Sequence, residues 1–242
     1  MASFHLTIKN GKKGTAATHA AYIAREDKHG KNQEKPDLVT LEHGNLPAWA
    51  NGDPLYFFKM SDAEERVNGA AYRELVVALP SELTKVQRDE LALECVKQQI
   101  GDKPFLFAIH SPIAALGDVP QDHLHAMWSD RVPDGIERSP SQFFKRYNTA
   151  KPELGGCKKD SGGKPPAMMK EAIKTRREKC AALQNDYLEK YGHTARVDHR
   201  TNCERGIDKE PEKHLGAAAI KIMTADEKAQ IKDNRKSKKQ IE

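Results

Sequence analysis

The chain has 242 residues, 31% of them charged and only 6% aromatic, with a net charge of +5 and a pI near 8.9. That length allows one large domain with a real core, or a domain plus a tail, and the basic balance fits a polyanionic partner. Residues 1–20 lack the long apolar stretch of a secretory signal, and no run approaches the roughly 18 apolar residues of a membrane span. Cys95, Cys157, Cys180 and Cys203 form no CxxC pair, which argues against a zinc cassette or a disulfide framework. The expectation is a soluble cytoplasmic protein.

In chain order, Ser3 to Ile8 alternates, with Phe4, Leu6 and Ile8 on one face, and reads as a half-buried strand. Gly11-Lys12-Lys13-Gly14 is a basic turn, and Thr15 to Glu26 reads as an alanine-rich helix carrying Tyr22. Residues 27–53 are polar and punctuated by Gly and Pro, so mostly loop is expected. Asp62 to Tyr72 reads as a short helix leading into the strand Arg73–Leu79, which Pro80 ends. Thr84 and Gln87 have capping-box spacing and open a helix to about Ile100, before Gly101.

Two strands near 104–110 and 122–129 follow, joined by a connection containing Pro112, Gly117 and Pro120. Ser139 and Gln142 signal another short helix through Tyr147. Residues 151–166, rich in Gly, Pro and Lys, read as a mobile basic loop. A long helix is expected over about 167–191, stopped by Gly192. The lysine-rich, weakly apolar segment 217–242 reads as a charged helix or tail beyond a globular part of residues 1–216. Strands and long helices without strict βαβ alternation point to an α+β fold.

The chemistry concentrates in His123-Leu124-His125. Side chains alternate along a strand, so both imidazoles share a face. His110 ends the preceding apolar run, and if the two runs pair as a hairpin, three imidazoles meet at one of its ends. Burying three imidazoles together without a ligand would leave several ring nitrogens unsatisfied. Three neutral imidazoles with positions to spare describe a catalytic metal site better than a structural one. Their softness suits zinc, manganese, iron or nickel better than magnesium. His29, His43 and His193 read as structural or surface residues. Tyr22 alone reads most simply as a core anchor. Beside a metal-bound cluster it reads differently, because a phenol with a solution pKa near 10 is a poor nucleophile until its phenolate is stabilised.

The chain resembles the relaxase domain of the MobA/MobL family of plasmid mobilization proteins, on its IncQ-type branch, within the HUH endonucleases. The likeness runs from about His5 to Leu215. It rests on Phe4-His5-Leu6-Thr7, Ala21-Tyr22-Ile23, Val67-Asn68-Gly69 with Glu74 and Ala78-Leu79-Pro80, and Ala108-Ile109-His110. It continues through His123-Leu124-His125 with Ser129-Asp130-Arg131, Asp134 to Arg138, Phe144-Lys145-Arg146-Tyr147-Asn148, Asp198-His199-Arg200 and His214-Leu215-Gly216.

The resemblance implies a five-stranded antiparallel sheet with flanking helices and single-strand nicking at a plasmid origin of transfer. It places Tyr22 at the nucleophile and His110, His123 and His125 at the metal, which is Mn2+ or Mg2+ in such proteins. It places Glu74 at an active-site acid, either orienting a ligand histidine or accepting the tyrosine proton. Implied partners are single-stranded and hairpin DNA at the origin, relaxosome accessory proteins and a type IV secretion coupling protein. Lys12, Lys13, Arg25, Arg131, Arg138, Lys145 and Arg146 are the candidate phosphate contacts, joined by Lys158, Lys159 and Lys164. Phe143, Phe144, Tyr147 and Trp128 are candidates for stacking on bases, with a core role open for both phenylalanines. The loop 151–166 and the helix after it are candidates for the duplex arm. Two other readings stay open. A rolling-circle initiator would use a tyrosine after the histidine motif, such as Tyr147, Tyr187 or Tyr191. A non-nicking DNA-binding protein would close its metal site with a fourth ligand, for which His5 is the nearest candidate.

Overall fold

The fold was obtained as a computed structural model, which describes residues 4–26, 37–114, 116, 119–208, 215 and 217–240. His29, Gly117, His214 and Gly216, named above, lie outside them. Strands β1 (Leu6–Lys12), β2 (Leu38–Gly44), β3 (Ala70–Ala78), β4 (Phe105–His110) and β5 (His123–Trp128) form one antiparallel sheet in the order β1-β3-β5-β4-β2. Helices α1 (Ala16–Ile23), α2 (Pro54–Glu64), α3 (Lys85–Ile100) and α5 (Pro166–Lys190) flank it, so the expected α+β architecture is present.

Strand alternation sorts the two faces. Leu124, Ala126 and Trp128 of β5 and Phe107 and Ile109 of β4 pack with Leu91 and Cys95 of α3 and Cys180 and Leu188 of α5. The intervening Met127, Leu106 and Ala108 pack with Ala20 and Ile23 of α1 and Phe57 and Phe58 of α2. Each such large side chain, fully buried, contributes roughly 1.5–3 kcal/mol. His110, His123 and His125 continue this second, α1-side row toward one end of the sheet.

Both edge strands contain a glycine that an aromatic ring covers. Gly44 pairs with Phe105 and Gly11 with Tyr72. A Cβ on Gly11 would lie 1.8 Å from the Tyr72 ring, so only glycine admits the ring there.

Several expectations are corrected. The helix read at 62–72 spans Pro54–Glu64 instead, because Asp53 accepts from the amides of Leu55 and Tyr56 and Pro54 starts the first turn. Residues 70–72 are already strand. Within the stretch read as loop, residues 38–44 form edge strand β2, paired with β4. Segment 151–166 is not a free loop. Lys158–Lys159 (β7) pairs with Arg131–Val132 (β6), and Gly155 and Gly156 press onto the backbone of Asn148 and Lys145 too closely for a Cβ. The predicted capping box is present: Thr84 Oγ accepts from Gln87 N, and Gln87 Oε1 accepts from Thr84 N at 2.9 Å.

The chain divides into two compact units, residues 1–110 with 122–199, and residues 111–121 with 200–242. The first holds the sheet and the four flanking helices, with the short helix α4 (Pro140–Phe143). The second contains an Ile113–Pro120 bridge and helices α6 (Ala217–Ile222) and α7 (Ala225–Gln240), the latter opened by a Thr224–Glu227 cap. Among the described residues no helix is long and apolar enough to cross a membrane.

Candidate active site

The register of the β4–β5 hairpin sets His110 directly opposite His123, with His125 opposite Ala108 one step along. The three ring centroids lie 4.9–5.7 Å apart, and one nitrogen from each ring falls within 4.8 Å of the other two. His110 is fully buried; the other two rings are half-buried.

Neighbouring acceptors set two of the tautomers. His110 Nε2 donates to the carbonyl of Ile23 at 2.8 Å, which leaves Nδ1 with its lone pair, buried and without a partner. His125 Nδ1 donates to Glu74 Oε1 at 2.8 Å, leaving Nε2 as the lone-pair nitrogen. Burial pushes the His110 imidazole down to about 4, so it is neutral at pH 7. A buried lone pair with no donor is costly, and a shared cation would satisfy it. The donor set therefore fits a divalent metal held by His110, His123 and His125. His5, exposed just before β1, does not belong to this cluster.

Glu74 is 3% exposed and sits on β3, opposite Met127 of β5. Its Oε1 also lies 3.0 Å from His19 Nε2, out of line for a hydrogen bond, so this is an electrostatic contact. Burial, the largest single influence, acts to raise the Glu74 carboxyl, but the imidazoles of His125 and His19 together outweigh it and hold it at about 2. Glu74 is thus an anionic partner that orients His125.

Tyr22 stands on α1, whose Ala16, Ala20 and Ile23 are buried against the sheet. The N-terminus of α1 is capped from afar. Asp62 of α2 accepts from the amides of Gly14 (2.7 Å), Ala16 (3.0 Å) and Ala17 (2.9 Å). The Tyr22 ring meets His125 edge-on with centroids 6.5 Å apart, stacks near His19 at 6.0 Å, and is 36% exposed, so a substrate can reach it.

Tyr187 and Tyr191 lie on the opposite, α3–α5 side, where Tyr191 Oη donates to Glu90. Tyr147 follows α4 and is half-buried.

The predicted phosphate contacts separate. Lys12, Lys145 and Arg146 are exposed, and Lys13 Nζ donates to the carbonyl of Ala63. Arg131 and Arg138, expected as DNA contacts, are instead buried and turned inward. Arg131 pairs with buried Glu65 and donates to the carbonyls of Phe144, Lys145 and Cys157. Arg138 binds Asp134 and the carbonyls of Gly155 and Pro152. Arg25 is also engaged. It pairs with Asp37 through Nε and Nη2 at 2.7 and 2.8 Å, donates to the Tyr22 carbonyl, and lies 4.7 Å over the Tyr22 ring. Lys159 is bound to Glu65 and Lys164 to Asp160. Phe143, Phe144 and Trp128 are core residues, unavailable for stacking on bases.

Sequence reasoning missed His19, Asp37 and Asp62. His19 had one signal, its i, i+3 spacing from Tyr22 on the same helix; the other two had none.

The family model described as the MobA/MobL family matches residues 15–225. A 43 kDa relaxation protein of Salmonella typhimurium is 46% identical over 211 residues, covering 87% of this chain and 57% of that protein. Mobilization protein A of Escherichia coli is 38% identical over 227 residues, covering 92% of this chain and 30% of that protein. The chain thus spans only part of the length of both relatives. A solved structure from work on the molecular basis of vancomycin resistance transfer in Staphylococcus aureus shares the fold, with a TM-score of 0.57 at 21% identity over 83% of this chain and 100% of that one.

Proposed function

The chain belongs to the MobA/MobL family, and from that premise we propose that residues 1–216 form a relaxase that nicks one strand of a plasmid's origin of transfer for conjugative mobilization, with 217–242 a charged helical segment outside it. The observation that carries the reading is the accessible Tyr22 phenol standing on the rim of a converged three-histidine cluster. The family relationship supplies the substrate class.

His110, His123 and His125 would hold a divalent cation, Mn2+ or Mg2+, which when bound polarises the scissile phosphate and offsets charge developing on its oxygens. The protein's own residues do the rest. Tyr22 Oη attacks phosphorus in line; its O–P bond forms as the P–O3′ bond breaks. The phenolic proton is released, and the departing 3′ oxygen takes one up. One phosphodiester has replaced another, so the free 3′-OH can reverse the step and rejoin the strand. Arg25, clamped by Asp37, keeps a fixed cation against the tyrosine ring and holds that ring in place. Glu74 holds His125 in the tautomer whose Nε2 faces the cluster.

Lys12, Lys145 and Arg146, together with Lys170 and Lys174 on the exposed first half of α5, supply cations for the strand and for the adjoining hairpin arm. Accessory relaxosome proteins and a type IV secretion coupling protein complete the proposed partners.

The test is incubation with a labelled single-stranded origin oligonucleotide and Mn2+ or Mg2+, followed by denaturing electrophoresis. A covalent protein–DNA band is expected, absent with EDTA and absent in Tyr22→Phe, which should still bind the oligonucleotide. An adduct that persists in Tyr22→Phe refutes the reading.

A further inference from the structure

We propose that His19 is a positioning residue for the histidine cluster: it steadies the single Glu74 oxygen that holds His125, and so ties the helix of the nucleophile to the strand of the metal ligands. This deepens the relaxase reading, on which it rests for what the cluster binds.

Glu74 Oε1 lies 2.8 Å from His125 Nδ1 on β5 and 3.0 Å from His19 Nε2 on α1. A carboxylate is acceptor-only, so the proton at each contact belongs to the imidazole. His19 Nε2 is buried and finds no in-line hydrogen-bond partner, so the Glu74 carboxylate is the negative charge that offsets its desolvation. Without the His19 contact, Glu74 would meet imidazole on one side only and could turn its carboxylate away from His125.

The His19 ring is itself fixed. It stacks on Tyr72 with centroids 5.1 Å apart and 17° between planes. Tyr72 lies flat across β1 because Gly11 has no side chain. Contacts therefore run without a break from Gly11 through Tyr72, His19 and Glu74 to His125. Ring stacking alone would let any aromatic residue serve at position 19. The electrostatic Nε2–Oε1 contact asks for a side chain that turns a polar N–H toward the carboxylate, and that difference is testable.

His19→Phe keeps the ring and loses the polar N–H; His19→Gln keeps an N–H and loses the ring. Mn2+ is titrated into metal-free protein and followed by calorimetry. A partner of a metal ligand's own partner should act at the lower end of the 10–100-fold range known for outer-shell groups, so His19→Phe should weaken Mn2+ binding about 10-fold. His19→Gln should recover part of that loss. In a Glu74→Gln background His19→Phe should add nothing, because the link is already cut. Equal affinity in wild type and His19→Phe, or the same loss with and without Glu74, overturns the inference.

A second measurement needs no metal. Nitrogen-15 NMR of metal-free protein should show His125 protonated at Nδ1 in wild type and a mixture of tautomers in His19→Phe. If wild type takes up no Mn2+, the metal reading fails, and the tautomer result still decides: an unchanged His125 in His19→Phe overturns the inference.

Discussion

Arg131→Met separates the two roles a basic residue can play in a DNA-handling protein. The Arg131 and Glu65 side chains are 3% and 2% exposed. Removing the guanidinium strands the Glu65 carboxylate, and breaking a buried pair from one side costs about 3–5 kcal/mol. Lys159 Nζ, 3.1 Å from Glu65, remains and offsets part of that loss. Against this, the carbonyls of Phe144, Lys145 and Cys157 lose their donor, at about 1–3 kcal/mol for each that water does not reach. A net loss of about 4 kcal/mol follows, which in a chain of this size lowers Tm by roughly 8–16 °C. Urea denaturation followed by circular dichroism measures the first quantity. The salt dependence of oligonucleotide binding measures whether a phosphate contact has gone. Arg131→Met should be strongly destabilised with an unaltered salt slope. The exposed Lys145→Met should keep its stability within about 0.5 kcal/mol and bind with a slope flatter by about one phosphate. A stable Arg131→Met protein with a flattened slope would refute the assignment of this residue to the core.

Three further outcomes are expected. Glu74→Gln, which removes the charge facing His125 and His19, should weaken Mn2+ binding about 10–100-fold by calorimetry; unchanged affinity would count against the orienting role. Asp62→Ala leaves three amides at the start of α1 without their acceptor, and loss of such a cap costs about 0.5–2 kcal/mol. Faster amide exchange confined to residues 14–17 is the accompanying sign, and uniform protection there would contradict it. Gly11→Ala forces the Tyr72 ring off β1 at an overpacking cost of about 1–3 kcal/mol. A lower urea midpoint with an altered near-ultraviolet tyrosine signal is expected, and a midpoint equal to wild type would show that the ring has room.

What the sequence settled by itself is local. His123 and His125 share a face because strands alternate, and His110 joins them because its strand pairs antiparallel with theirs. The Thr84–Gln87 cap and the long helix stopped at Gly192 follow from short-range hydrogen bonding and glycine's left-handed backbone. The start of α2 is equally local, written in the Asp53 cap and Pro54 at the first turn. Tertiary structure alone decided the rest. β2 is a strand because β4 offers it a ladder; its own pattern carries no strong alternation. Arg131 and Arg138 are as basic in sequence as Lys145 and Arg146, yet two became core ties and two stayed on the surface. The Asp62 cap, the Arg25–Asp37 clamp and the His19–Glu74–His125 bridge join residues 12 to 55 positions apart. Such contacts leave no periodicity or spacing in the chain, because they form only once separate elements have been packed side by side.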